Sequence, residues 1–230
     1  MRGGPVGVAK LSPPDTQLWL APPEAAARMV PARLSAQERA RWRSLRGGRR
    51  RVEWEASRAL LQRVGRAGVI SLSHSAGHAA VLAAPSGCRA GIDLEATRPR
   101  DVARLAAFCY ADSEQADGGN QEAFYLRWTL KEAFAKALGL PLASALRSCV
   151  IHRQGDRWIA QVPCSEPWHA AVYVPRPGLL VAGVLVGKGL AGSEEWACRE
   201  WPPGKTVSWR PLSRLTGGGT GVAHAKPRSR

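Results

Sequence analysis

Apolar and polar positions alternate between two periods along the chain. Leu18-Trp19-Leu20 predicts a short strand. Ser35 to Val64 follows a helical pattern, with Leu45 in one segment and Leu60, Leu61 and Val64 in the next. Ser35 with Glu38 three residues on has capping-box spacing, and Gly47-Gly48 predicts a break. Strands are expected at Val69–Ser73, Ala79–Ala84 and Ala90–Glu95, the last two joined by a turn at Pro85-Ser86-Gly87. Helices follow at Asp101–Tyr110 and at Gln121–Leu138, which ends before Gly139. Strands return at Arg157–Val162, Ala170–Val174 and the strongly apolar Leu179–Gly187.

This order predicts an α+β fold in two similar halves, 16–95 and 96–188, without a residue-level repeat. Residues 1–15, rich in Gly and Pro, read as a flexible arm. From 189 to 230 periodic apolar residues give way to Gly, Ser, Pro and Arg, and a disordered basic tail is expected. Trp196, Trp201 and Trp209 sit awkwardly in such a tail and suggest docking on the body.

The net charge of +15 favours polyanionic partners without choosing among nucleic acid, anionic membrane, polyphosphate or acidic protein. It is also compatible with an Arg-rich compositional background. Five cysteines, odd in number and without C-x-x-C spacing, argue against a disulfide framework or zinc site and for a reducing cytoplasm. The longest apolar run, Leu179 to Val186, is far short of the ~20 residues that span a bilayer. A soluble protein is expected.

Four segments carry candidate chemistry. In Gly91-Ile92-Asp93-Leu94-Glu95, strand alternation sends Ile92 and Leu94 to the core and puts Asp93 and Glu95 on the other face. Two carboxylates so close suit a hard cation such as Mg²⁺, or are simply two surface acids. On the helix from Trp128 to Lys136, Trp128, Glu132 and Lys136 share a face at four-residue spacing, with Lys131 beside them. That face can hold a third metal ligand flanked by phosphate-binding lysines; it also reads as an ordinary exposed Glu–Lys pair. Ser71-Leu72-Ser73-His74-Ser75 offers hydrogen-bond donors to a phosphate, and no G-x-S-x-G elbow supports a serine nucleophile. Arg58, after Arg49-Arg50-Arg51, can clasp phosphate or belong to a solvated basic helix.

Taken together, these pieces resemble the 4′-phosphopantetheinyl transferase superfamily, in its surfactin-synthetase-activator-like branch. The resemblance rests on S-R-A-L-L (57–61), S-L-S-H-S (71–75), G-I-D-L-E-A-T-R-P (91–99), F-C-Y-A-D-S-E (108–114) and R-W-T-L-K-E-A-F-A-K-A-L-G (127–139). It runs from about residue 33 to 187. It implies a pseudo-dimer of two α+β halves with coenzyme A between them, and transfer of 4′-phosphopantetheine to a serine of an acyl or peptidyl carrier protein. By the same resemblance Asp93, Glu95 and Glu132 hold Mg²⁺, and Lys131 and Lys136 serve the coenzyme A phosphates. Ser73 and His74 contact the 3′-phosphate region, Arg58 the nucleotide end, and Glu132 acts as the base. The expected partners are coenzyme A and a carrier, with no membrane and no nucleic acid, and the expected enzyme is a monomer. The chain departs from the branch where a G-K-P segment precedes the S-H-S strand, so the first half is abbreviated. Glu38 also stands where a phosphate-contacting lysine would be welcome. The competing readings are a transferase-like protein that binds carriers without catalysis and a basic nucleic-acid-binding protein.

Overall fold

Strand β1 (Gln17–Ala21) leads through two short 3₁₀ turns, Pro23–Arg28 and Pro31–Arg33, into helices α1 (Ala36–Ser44) and α2 (Arg49–Val64). Three strands follow: β2 (Val69–Ser75), β3 (His78–Ala84) and β4 (Arg89–Ala96). Next come α3 (Val102–Cys109), α4 (Asp112–Gln115), α5 (Gln121–Leu138) and α6 (Leu142–Ser148). The chain then runs through β5 (Val150–Gln154), β6 (Arg157–Gln161), β7 (Trp168–Arg176), β8 (Leu179–Val186), β9 (Ala197–Glu200) and β10 (Arg210–Gly217). This computed structural model describes residues 16–65, 68–115, 120–188, 190, 196–202 and 207–218. The arm expected at 1–15 lies outside the described residues.

Local chemistry sets the helix limits. Ser35 and Glu38 close the capping box, each side chain accepting from the other's backbone N–H at 3.1 and 2.9 Å. Asn120 caps α5 by accepting from Ala123 N–H, and Gly139 ends it in the left-handed conformation.

The strands form two four-stranded sheets, β2-β3-β1-β9 and β10-β7-β8-β4, with β5 and β6 as a separate hairpin. Alternation sorts their side chains into three cores. Trp19, Val81 and Ala83 meet Leu60, Leu61 and Val64 of α2 on one face of the first sheet. Leu18, Leu20 and Leu82 meet Ile92, Leu94, Tyr173 and Val181 between the sheets. Val172, Ala182 and Val184 meet Leu130 and Phe134 of α5 on the outer face of the second. The result is a mixed α+β structure layered helix, sheet, sheet, helix. Among the described residues no helix is long and apolar enough to cross a membrane, and the five cysteines are free thiols.

Two expectations are corrected. β4, assigned to the first half, pairs antiparallel with β8 from Arg89↔Val186 to Ala96↔Leu179 and so belongs to the second sheet. The segment after 189 is not disordered throughout. β9 runs parallel to β1 and closes the first sheet, and β10 runs antiparallel to β7 and closes the second. The reason is apolar burial: Trp196, Cys198 and Trp209 join the core between the sheets. Gly183 leaves the space for Trp196, since an added Cβ would stand 2.3 Å from its ring.

Candidate active site

β4 is the edge strand of the second sheet, and α5 lies across its outer face. Their close approach depends on Gly91, where a Cβ would sit 2.0 Å from the Ala133 carbonyl oxygen. Alternation then buries Ile92 and Leu94 between the sheets and turns Asp93 and Glu95 toward α5. From the helix, Trp128, Glu132 and Lys136 face them at the predicted spacing. Trp128 Nε1 donates to Glu95 Oε1 at 3.0 Å, and Lys136 Nζ donates to Asp93 Oδ1 at 2.8 Å. Lys136 also donates to the Ile92 carbonyl at 2.8 Å and lies 4.0 Å from Glu132 Oε2.

Three carboxyl groups therefore share one partly buried region, and Glu132 and Glu95 both feel the charge of Asp93. Burial pushes the Glu132 carboxyl up to about 7; the charges of Asp93 and then Glu95 add to this, while Lys136 opposes it. Glu95 is raised as well, by burial first and Asp93 second, against the indole hydrogen bond from Trp128. Asp93 is 3% exposed, and its buried Oδ2 meets no N–H or ammonium donor, while a hydrogen bond to the Asp93 side chain raises the Glu132 carboxyl further. A buried carboxylate oxygen without a cationic partner is costly. The donor set is all oxygen, which suits a hard cation. Among the described residues no three acidic, histidine or cysteine side chains already form a metal cage; the ammonium of Lys136 stands against Asp93 instead.

The other predicted residues divide. Lys131 does not reach this region. Its side chain is wholly buried on another side of α5, where Nζ donates to Glu114 Oε2 and to the carbonyls of Cys109 and Leu146. Its assignment to coenzyme A phosphates is therefore corrected, because its ammonium is wholly buried; Lys136 also donates inside the protein, to Ser73, Ile92 and Asp93, but its side chain is about one-third exposed. Ser73 is corrected too. It is 7% exposed, and its hydroxyl donates inward to Asp93 Oδ1 at 2.9 Å rather than outward to a phosphate. His74, on the opposite face of β2, is exposed, with Nδ1 3.5 Å from Glu53 Oε2. Arg58 packs its guanidinium over Trp54 and lies 3.8 Å from Glu38, beside a shallow cavity of about 210 Å³ that Arg33 and Gln62 also line.

The fold gives Trp128 and Ser75 a role that their sequence segments do not, as partners of Glu95, and it adds Glu53 behind His74. Period-2 spacing of Ser71, Ser73 and Ser75 was the signal for the serines. Glu53 carried none, because α2 and β2 meet only in the fold.

This is a site of clustered carboxylates and a lysine on an α+β frame, suited to a cation and to phosphate chemistry. Residues 89–175 match the family model of the 4′-phosphopantetheinyl transferase superfamily. That stretch holds Asp93, Glu95, Glu132 and Lys136, so the similarity covers the carboxylates and the lysine of the site. No curated protein matches the chain.

Proposed function

We propose that this chain is a 4′-phosphopantetheinyl transferase of the surfactin-synthetase-activator-like branch, converting an apo acyl or peptidyl carrier protein to its holo form. The observation that carries the reading is the convergence of the Asp93, Glu95 and Glu132 carboxyl groups with the Lys136 ammonium inside the matched stretch.

In this reading Asp93, Glu95 and Glu132 hold Mg²⁺, which supplies charge neutralisation at the coenzyme A pyrophosphate. Lys136, the cation already at the site, binds a pyrophosphate oxygen and opposes the charge that develops there. Glu132, beside Asp93 and Glu95, would receive the proton of the carrier serine, directly or through a water. The serine oxygen bonds to the β-phosphorus while the bond from that phosphorus to the bridging oxygen breaks, and 3′,5′-ADP departs with the electron pair. Exposed His74 and the basic face around Arg58 receive the 3′-phosphate and nucleotide end. The two helix-on-sheet layers are read as the pseudo-dimer halves, the first abbreviated between Val64 and Val69. The enzyme acts as a monomer on coenzyme A and one carrier at a time, without membrane or nucleic acid, in a reducing cytoplasm.

The test is incubation with coenzyme A, Mg²⁺ and a panel of apo carriers, followed by intact-mass measurement. A carrier gaining the phosphopantetheine mass supports the reading. Carriers that bind yet stay unmodified point to the non-catalytic alternative.

A further inference from the structure

β2 and β4 are edge strands of different sheets, and they lie side by side without pairing. An edge strand turns every second N–H and C=O outward, and buried groups of that kind need partners. On β4 the partners are side chains. Ser71 Oγ accepts from Ile92 N–H at 3.0 Å, Ser75 Oγ accepts from Ala96 N–H at 3.2 Å, and Lys136 takes the Ile92 carbonyl. The same face of β2 also reaches the acids. Ser73 Oγ donates to Asp93 Oδ1 at 2.9 Å, and Ser75 Oγ donates to Glu95 Oε2 at 3.4 Å. Three hydroxyls at alternate positions thus join the sheets along the strand that carries the carboxylates.

The consequence concerns orientation. Asp93, Glu95 and Glu132 repel one another and, left free, would rotate apart. Ser73 and Lys136 pin Oδ1 of Asp93, which leaves its buried Oδ2 without a fixed donor. Ser75 and Trp128 hold the two oxygens of Glu95 from opposite sides. Ser71 caps a backbone group only, and the hydrogen bonds of its side chain include neither acid.

We propose that Ser73 and Ser75 are positioning residues, through which the first sheet orients the cation-binding carboxylates of the second. The proposal rests on the reading of Asp93, Glu95 and Glu132 as Mg²⁺ ligands. Ser71 is the internal control, since it belongs to the same seam without holding a carboxylate.

The experiment measures Mn²⁺ binding to the full chain alone by electron paramagnetic resonance, beside the Mg²⁺ dependence of transfer. Ser73→Ala and Ser75→Ala should each weaken Mn²⁺ binding about tenfold, the loss expected for a hydrogen bond to a charged group. Apparent Mg²⁺ affinity in the transfer reaction should fall in step. Ser73→Thr and Ser75→Thr, which keep the hydroxyl, should stay within about threefold of the parent. Ser71→Ala should lower thermal stability and leave Mn²⁺ binding unchanged. Parental Mn²⁺ affinity in both alanine variants would overturn the proposal, as would Ser71→Ala weakening Mn²⁺ as much as they do. If the parent transfers phosphopantetheine while the serine variants bind Mn²⁺ normally, only this inference fails. A parent that neither binds Mn²⁺ nor modifies a carrier overturns the functional reading with it.

Discussion

Lys131 and Glu132 are adjacent on α5, yet one ends against Glu114 in the core and the other against Asp93 in the site. One step along a helix turns the side chain by about 100°. Here that step separates a residue of the core from a residue of the chemistry. Burial lowers the Lys131 ammonium, and Glu114 works against the shift.

Lys131→Met should therefore destabilise the fold by about 3–5 kcal/mol, because it strands a buried carboxylate. The folded fraction should keep its KM for coenzyme A. Adding Glu114→Leu should recover much of the stability. Denaturant midpoints and coenzyme A kinetics check this; a raised KM with unchanged stability would return Lys131 to the phosphates.

Asp93→Asn should lower transfer at least a hundredfold, since it removes a proposed cation ligand charge. Stability should change by no more than about 1 kcal/mol. Relief of repulsion with Glu132 and Glu95 offsets the lost ion pair to Lys136, which is about one-third exposed. Intact-mass kinetics and thermal melts read the two effects separately.

The Glu132 carboxyl moves from an ordinary 4.5 to about 7 in the fold. A carboxyl that holds its proton more tightly when folded favours the folded state at low pH and loses that advantage as pH rises. Without metal, stability should fall by on the order of 2 kcal/mol between pH 4.5 and 7, then level off. Saturating Mg²⁺ should flatten the slope, and Glu132→Gln should remove it. Urea titrations across this range are the measurement; an identical slope in Glu132→Gln would assign it elsewhere.

Phe108 is 74% exposed on α3, one turn beyond exposed Arg104. An apolar side chain beside a cation suits an acidic partner surface, as expected of the proposed carrier. We place carrier docking on the segment from Phe108 to Phe124, which leads into the helix that bears Glu132 and of which 116–119 lie outside the described residues. Phe108→Asp should raise carrier KM about tenfold and leave that for coenzyme A unchanged. With coenzyme A saturating, carrier affinity should also fall with salt. A salt-independent affinity would make the charge of +15 compositional.

Truncation after Lys188 removes β9 and β10 and uncovers the edges of β1 and β7. Such edges invite intermolecular pairing, so the shortened chain should aggregate. Trp196→Ala in the full chain should cost about 3–5 kcal/mol by emptying the space beside Gly183. A monomeric truncated chain with an unchanged melting temperature would show the strands to be dispensable.

By itself the sequence determined what depends on local periodicity. Period 2 through Gly91-Ile92-Asp93-Leu94-Glu95 sorted core from carboxylate, and four-residue spacing put Trp128, Glu132 and Lys136 on one face. Caps at Ser35 and Gly139 marked helix ends, because their hydrogen bonds close within a few residues. Only the tertiary structure decided which partner each face meets. It gave Lys131 to Glu114, 17 residues away, and Ser73 to Asp93, 20 away. It also assigned β4 to the second sheet and brought Trp196 and Trp209 back into the core. Those outcomes turn on long-range pairing and buried area, and no local pattern of hydrophobic and polar residues encodes either.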